Sequence, residues 1–550
     1  MAEDLTIPTC NRLLPALILG ILAAPAAGNT PLRAYVEARA VEMSGDEARS
    51  ARLFAAIAQS DPGDRTIARK AIGTAIQSGQ ADLAVSIARN LPLDELPIDA
   101  RLMLAADLAR KGQVKKAAAQ LEKGTTSTEA SLFAPLMRAW EATSRRKADG
   151  ANSLAKLPEG SALEPIADEQ RAAMLFALGR VEEALPIANS VVSKGGGRET
   201  RLRLAFADAL LKAGKRSEAM TMLAADDEAL SLARARVEAG QPLRAAIDTP
   251  AEGYAEMLVA LAVDLSRDEN KALPISLVQV ARHADPTNSE ATILLALLQE
   301  SAGNSAEALA SLDSIRDDDL LAGEALDVEA RILADEGRSS AALAQAQAAA
   351  RLPGAGAHSY RRLANVLGDM ERHAEAAAAY QQAISRTAEG KAEWSLYLLQ
   401  AASLEQAGRW DEAKAVLRRA MALEPENPLL LNFLGYGKLE RGEDLDQAEA
   451  MIRKASALRP DDASITDSLG WALYKRGRLA EAIDTLRQAA AGDPTQWEIH
   501  EHLGDALFAS GRRIEARFSW SAALLTAEEK AKNRIEQKLE TGLNSANAAP

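Results

Sequence analysis

The chain repeats itself every 34 residues, and that period restricts its fold more than any other feature. Three copies are clear between Leu429 and Ala527. Leu434-Gly435, Leu469-Gly470 and Leu503-Gly504 mark them, with glycines 35 and 34 residues apart. Ala448, Ala482 and Ala516 follow at intervals of 34, as do Ala455, Ala489 and Ala523, and Pro460 and Pro494 close the first two copies. Hydrophobic residues make up 47% of the 550-residue chain but aromatics only 4%, so its interior must be built from closely spaced helices with small side chains between them.

The pattern fixes which position does what. Gly435, Gly470 and Gly504 fall in mid-helix, where glycine costs about 0.5–1 kcal/mol against alanine. That cost makes sense if a second helix comes very close, with Ala448, Ala482 and Ala516 answering from it. Gly442, Gly477 and Gly511 serve the turn between the two helices, where positive φ is needed. Pro460 and Pro494 stop the second helix. Each copy is then a helical hairpin whose apolar faces only its neighbours can cover. This order of residues at this period resembles the tetratricopeptide (TPR) signature. The resemblance implies an all-α fold, an α-α superhelix (TPR solenoid) with a concave groove, and about fifteen helical hairpins once degraded copies are counted.

Residues 1–26 read as an export signal peptide. Arg12 precedes the apolar run Leu13–Leu22, and Ala24-Pro25-Ala26 offers a cleavage site. The run is shorter than the roughly 20 residues of a membrane span. Glu3 and Asp4 weaken the positive end, which leaves open a start later than Met1, and a first solenoid helix interrupted by Pro15 and Pro25 is the alternative. Cys10, the chain's single cysteine, rules out an internal disulfide and stands before the apolar run, not after it as in a lipoprotein. A soluble periplasmic protein is expected. Residues 27–225 and 258–390 carry degraded repeats, their turns marked by Gly79, Gly112, Gly150, Gly179, Gly214, Gly303 and Gly337. Between them 226–257, with Gly240, Pro242, Pro250 and Gly253, reads as an irregular bend or joint, or as a linker. Residues 391–527 hold the well-formed repeats. In 528–550, Ala531, Ile535 and Leu539 at spacings of four predict a capping helix, followed by a disordered tail from Asn544.

A formal charge of −14 argues against nucleic acid as partner, since phosphate binding needs a basic stripe. Gly195-Gly196-Gly197 lacks the strand and Lys-Ser/Thr of a phosphate loop. His500 and His502 are two apart, on different sides of a helix, and cannot share a metal; His502, beside the Leu503-Gly504 packing pair, reads as a partly buried helix-face residue, and Glu498, four before it, as its surface pair. No cofactor, metal or catalytic residue is expected, and the chain does not read as an enzyme.

The aromatics point to binding instead. Eleven of twenty lie between Trp394 and Trp520. Trp520 takes the core position that Leu417, Ile452 and Leu486 hold elsewhere. Tyr436, Trp471, Tyr474 and Phe508 fall on the first-helix face, with Asn432, Asp467, Lys475, Glu501 and Asp505 near them. Together these nine form a candidate groove for an extended or helical peptide. The alternative is that Trp471 and Tyr474 pack between adjacent first helices.

The segments Asn432-Phe-Leu-Gly-Tyr436, Ile465-Thr-Asp-Ser-Leu-Gly-Trp471 and His502-Leu-Gly-Asp505, followed by Ala516 and Trp520, resemble a subfamily of bacterial envelope TPR proteins. Its members include outer-membrane lipoproteins that act as adaptors for a periplasmic carboxy-terminal processing protease. The resemblance covers the carboxy-terminal repeats and implies an adaptor role, with that protease or a cell-wall hydrolase as protein partner and association with the outer membrane. The position of Cys10 departs from the lipoprotein pattern. A scaffold in exopolysaccharide export or other envelope assembly is the second reading.

Overall fold

The computed structural model describes residues 31–122, 133–146, 149–155, 164–267, 269–387 and 392–549. The expected export signal and Cys10 lie outside them. The described residues form thirty α-helices and one short 3-10 turn, with no strand among them. The fold is all-α, as the period requires. Two compact units divide at Arg362 and Leu363, and the irregular stretch 226–257 lies inside the first unit.

In the second unit the hairpins follow the sequence pattern residue by residue. Pro428–Glu440 pairs with Leu445–Leu458, Ala463–Lys475 with Leu479–Gly492, and Trp497–Ala509 with Arg513–Thr526. A Cβ added at Gly470 would lie 2.5 Å from Leu486 Cγ, and one at Gly504 would lie 2.3 Å from Trp520 Cδ1. These glycines are therefore required by helix contact. Ala448, Ala482 and Ala516 are fully buried opposite them, and Leu417, Ile452, Leu486 and Trp520 share one core position. The turn glycines 442, 477 and 511 have φ of 66°, 75° and 85°. Asn427 and Asp462 cap the first helices by accepting backbone N–H bonds. The second helices Leu479–Gly492 and Arg513–Thr526 instead begin at an arginine that pairs with a glutamate three residues on, Arg478–Glu481 and Arg512–Glu515. Helix Glu529–Thr541 packs against Arg513–Thr526.

The first unit keeps the turns but not the simple stacking. Gly79, Gly112, Gly179, Gly214, Gly303 and Gly337 all have positive φ, whereas Gly150 does not. Arg146 takes the left-handed conformation there, at φ 56°. Gly150 is a packing glycine, since its Cβ would come within 2.3 Å of the Ala139 carbonyl oxygen. Beyond the extended strip at 241–248, whose Ala245 and Ala246 N–H groups donate to Asp208, the chain turns inward. Thr249 and Glu252 form a capping box that starts helix Pro250–Leu265. This helix and Ala272–Ala284 pack across Ile98–Arg110, and between them also reach Arg65–Gln77, Ala134–Ser144 and Glu164–Ala177. Four first helices thus have their shared face covered by helices from far along the chain. Gly253 lies so close to Trp140 that a Cβ would sit 2.1 Å from Cε2, and the buried Tyr254 hydroxyl donates to the Leu102 carbonyl at 3.3 Å. Glu256, 1% exposed, binds both Arg198 and Arg201. The remaining charges of this knot are Glu169, 2.6 Å from Arg198, and Glu290, 3.1 Å from it.

Candidate functional site in the carboxy-terminal unit

The nine residues expected in the groove fall along three successive first helices, Pro428–Glu440, Ala463–Lys475 and Trp497–Ala509. Trp471, the central aromatic, is 1% exposed. Its indole is sandwiched, with Tyr474 stacked at 4.7 Å and His502 at 4.2 Å, and its N–H donates to Glu440 at 2.7 Å. In this conformation Trp471 packs between first helices and presents no open ring to a partner. Lys475 is exposed, its ammonium 4.9 Å above the Trp471 ring and 3.7 Å from Glu440. Tyr436 and Tyr474 are half-buried. Burial raises the pKa of both phenols, with the Glu440 charge adding to the effect at Tyr436.

Asp467 is not a groove acceptor but the partner of His502, with Oδ2 2.9 Å from Nδ1. His502, expected as a partly buried residue of the helix face, is buried, so its pairing with Glu498 is not a surface one. Burial opposes its protonation, but the Asp467 charge and hydrogen bond outweigh it and hold the pKa above the ordinary value. Asn432 is half-buried, and its Oδ1 has no hydrogen-bond partner among the described residues.

Glu501 and Asp505 form a second centre one helix further on. Lys538 from the capping helix is 0% exposed and reaches Glu501 at 2.6 Å and Asp505 at 2.8 Å. Arg534 adds a second cation on Glu501 at 2.7 Å. Burial acts to raise the Glu501 pKa, yet the Arg534 hydrogen bond and the Lys538 charge bring it below the usual carboxylate range. At Asp505 burial wins, and the carboxyl is pushed up despite Lys538. Asp505 Oδ1 also accepts the Trp520 indole N–H at 2.9 Å. Phe508 lies 5.5 Å from Trp520 and closes this end of the face.

The face is not empty. Residues 543–549 return over it, so the tail expected to be disordered is packed. The Ala549 N–H donates to Asp505 Oδ2 at 3.0 Å, and Ala549 joins the buried cluster of Leu439, Ala448, Ile452, Trp471 and Ala472, with Tyr436 and Tyr474 against it. Six of the nine candidates, Tyr436, Trp471, Tyr474, Glu501, Asp505 and Phe508, therefore meet around one short segment and the helix that delivers it. Lys538, Arg534 and the tail were missed. The charged positions of 528–542 read as a solvated cap face, although Lys538 three residues after Ile535 lies on the same side of the helix.

Residues 357–389 and 394–437 match tetratricopeptide repeat families, and 470–511 match a TPR repeat family. These segments are tetratricopeptide repeats. Of the hairpins whose Gly and Ala contacts are described above, Ala463–Lys475 with Leu479–Gly492 lies largely within these matches. No curated protein matches the chain. Among solved structures it is similar to an APC/C hetero-tetramer Cut9-Hcn1, at 15% identity over 97% of this chain and 99% of that one, TM-score 0.35. It is also similar to MamA from Desulfovibrio magneticus RS-1, at 19% identity over 31% and 94%, TM-score 0.27, and to Pseudomonas aeruginosa pilF, at 16% over 33% and 82%, TM-score 0.29. TPR repeats generally mediate protein–protein contacts. Among the described residues no group of His, Cys, Asp and Glu is placed to hold a metal ion, and no helix is long and apolar enough to cross a membrane.

Proposed function

We propose that the chain is a non-catalytic scaffold that holds a protein partner by an extended peptide on the first-helix face of its carboxy-terminal TPR unit. The observation that carries this is the convergence of Tyr436, Tyr474 and the Trp471–His502 stack with buried carboxylates at Glu501 and Asp505. An apolar wall beside fixed acceptors suits an extended backbone, where main-chain N–H groups give affinity and alternate side chains give selection. The export-signal reading of 1–26 and the resemblance of the carboxy-terminal repeats to envelope TPR adaptors support a periplasmic site of action, near the outer membrane. They also support a role in presenting substrates to a carboxy-terminal processing protease.

The test is a photoreactive residue in place of Lys475, which is exposed beside the Trp471 ring, against one in place of Arg418 on the outer second helix Trp410–Leu423. Crosslinking in cells is expected to join a protein to position 475 and not to 418. An envelope protease or cell-wall hydrolase among the captured proteins supports the adaptor role. An outer-membrane porin in their place moves the assignment to export assembly, and equal capture at both positions removes the groove from the account.

A further inference from the structure

We infer that residues 543–549 are a resident ligand of the TPR groove, and that its protein ligand is a segment that presents one backbone N–H and one small side chain in their place. The inference rests on the groove reading above and names what the groove selects.

Gly542 ends the capping helix at φ 83° and turns the chain back across Phe508, whose Cζ would lie 2.7 Å from any Cβ at that position. Asn547, 1% exposed, then braces the return: its Nδ2 donates to the Gly542 carbonyl at 2.9 Å, and its Oδ1 accepts the Asn544 N–H at 2.7 Å. Two residues on, Ala549 is 5% exposed, with its N–H on Asp505 and its methyl in the Trp471 cluster. Ala546 and Ala548 between them are exposed. Residues 545–547 form a turn, closed by the Asn547 N–H on the Asn544 carbonyl at 3.3 Å, which sets Ala549 down on the face. The recognised elements are one backbone N–H, presented to a carboxylate that Lys538 and Trp520 hold in place, and one methyl-sized side chain beside an indole.

The resident segment is short, and few of its groups are buried. It holds the groove because helix Glu529–Thr541 delivers it there, and a short tether supplies an effective concentration on the order of millimolar. A free segment offering the same N–H and small side chain, with more contact along Tyr436 and Tyr474, displaces it.

Hydrogen exchange and peptide binding test this together. In the full chain, the amides of 543–549 are expected to exchange more slowly than in the isolated peptide. The A549E substitution forces a carboxylate into the Trp471 cluster where the Ala549 methyl sits and is expected to abolish that protection while helices Trp497–Ala509 and Glu529–Thr541 keep theirs. A labelled peptide of residues 543–550, titrated to about 5 mM because the tether it replaces is worth that concentration range, is expected to bind a chain ending at Gly542 and the A549E full chain. It should bind the unaltered chain at least tenfold more weakly. Free-rate exchange of 543–549 in the full chain overturns the inference, as does equal or absent binding by the truncated and full chains. If that happens while position 475 still captures a partner in cells, the groove stands and only its resident ligand falls.

Discussion

The two units cover the inner face of their first helices in different ways. In the amino-terminal unit, helices Pro250–Leu265 and Ala272–Ala284 lie across the face, locked by the Gly253–Trp140 contact and by Glu256 between two arginines. In the carboxy-terminal unit the first-helix face carries residues 543–549, held by a backbone bond, a methyl group and an asparagine brace. One covering belongs to the core and can leave only by unfolding. The other occupies a seat built of the neighbouring repeats. Repeat stability is a sum of local and nearest-neighbour contributions, so the two coverings should differ in what their removal costs.

Three changes probe that contrast. The largest effect is expected from Glu256→Ala, which leaves Arg198 and Arg201 buried without their shared carboxylate. Removing one partner of a buried pair costs about 3–5 kcal/mol, and chemical denaturation followed by hydrogen exchange should place that loss in the first unit. If both units lose stability equally, their independence is wrong.

An intermediate effect should come from pH, with opposite signs in the two units. His502 has a folded pKa above its unfolded value of about 6.5, so the stability it lends is complete below that value and is lost as pH rises through the folded pKa. His283, fully enclosed near Asp107, has its pKa lowered, first by burial and further by Arg110. The first unit should therefore lose stability as pH falls below about 6.5 toward that depressed value. Denaturation midpoints across this range should slope in opposite directions, and His502→Gln and His283→Gln should flatten one slope each.

The smallest effect is expected from ending the chain at Gly542. Asp505 keeps Lys538 and Trp520, so the loss should stay near the roughly 0.5–1.5 kcal/mol of one hydrogen bond. A loss as large as that of Glu256→Ala would make the tail part of the core.

The sequence made the carboxy-terminal hairpins readable because close packing admits only Gly and Ala at the contact, so the same letters recur where the same atoms meet. The same letters mislead when one residue serves two roles. Gly150 reads as a turn by its place in the phrase, yet it is a contact glycine, and the turn falls to Arg146, which carries no such mark. Helix Pro250–Leu265 left a trace that was legible in principle. Gly253 to Ala260 are buried without a break, and an apolar run lacking a polar face belongs to a helix covered all round. The site was half legible. Aromatic positions on the first helices converge as their register predicts, but register cannot say whether an indole faces a partner or the next helix, and Trp471 faces the next helix. The tail gave no hint, because Asn, Ser and Ala in a row describe a packed turn and a loose end equally well.

Lys538 has a consequence for growth of the stack. Open-ended repeats invite further copies, and a heterologous end-to-end contact that does not close makes filaments. Here the last hairpin presents Glu501 and Asp505 to the capping helix, and Lys538 bridges the two. The terminal seat is thus keyed to a charge that the glycine and alanine contacts of an ordinary repeat do not supply. The lysine acts as a stop codon written in three dimensions.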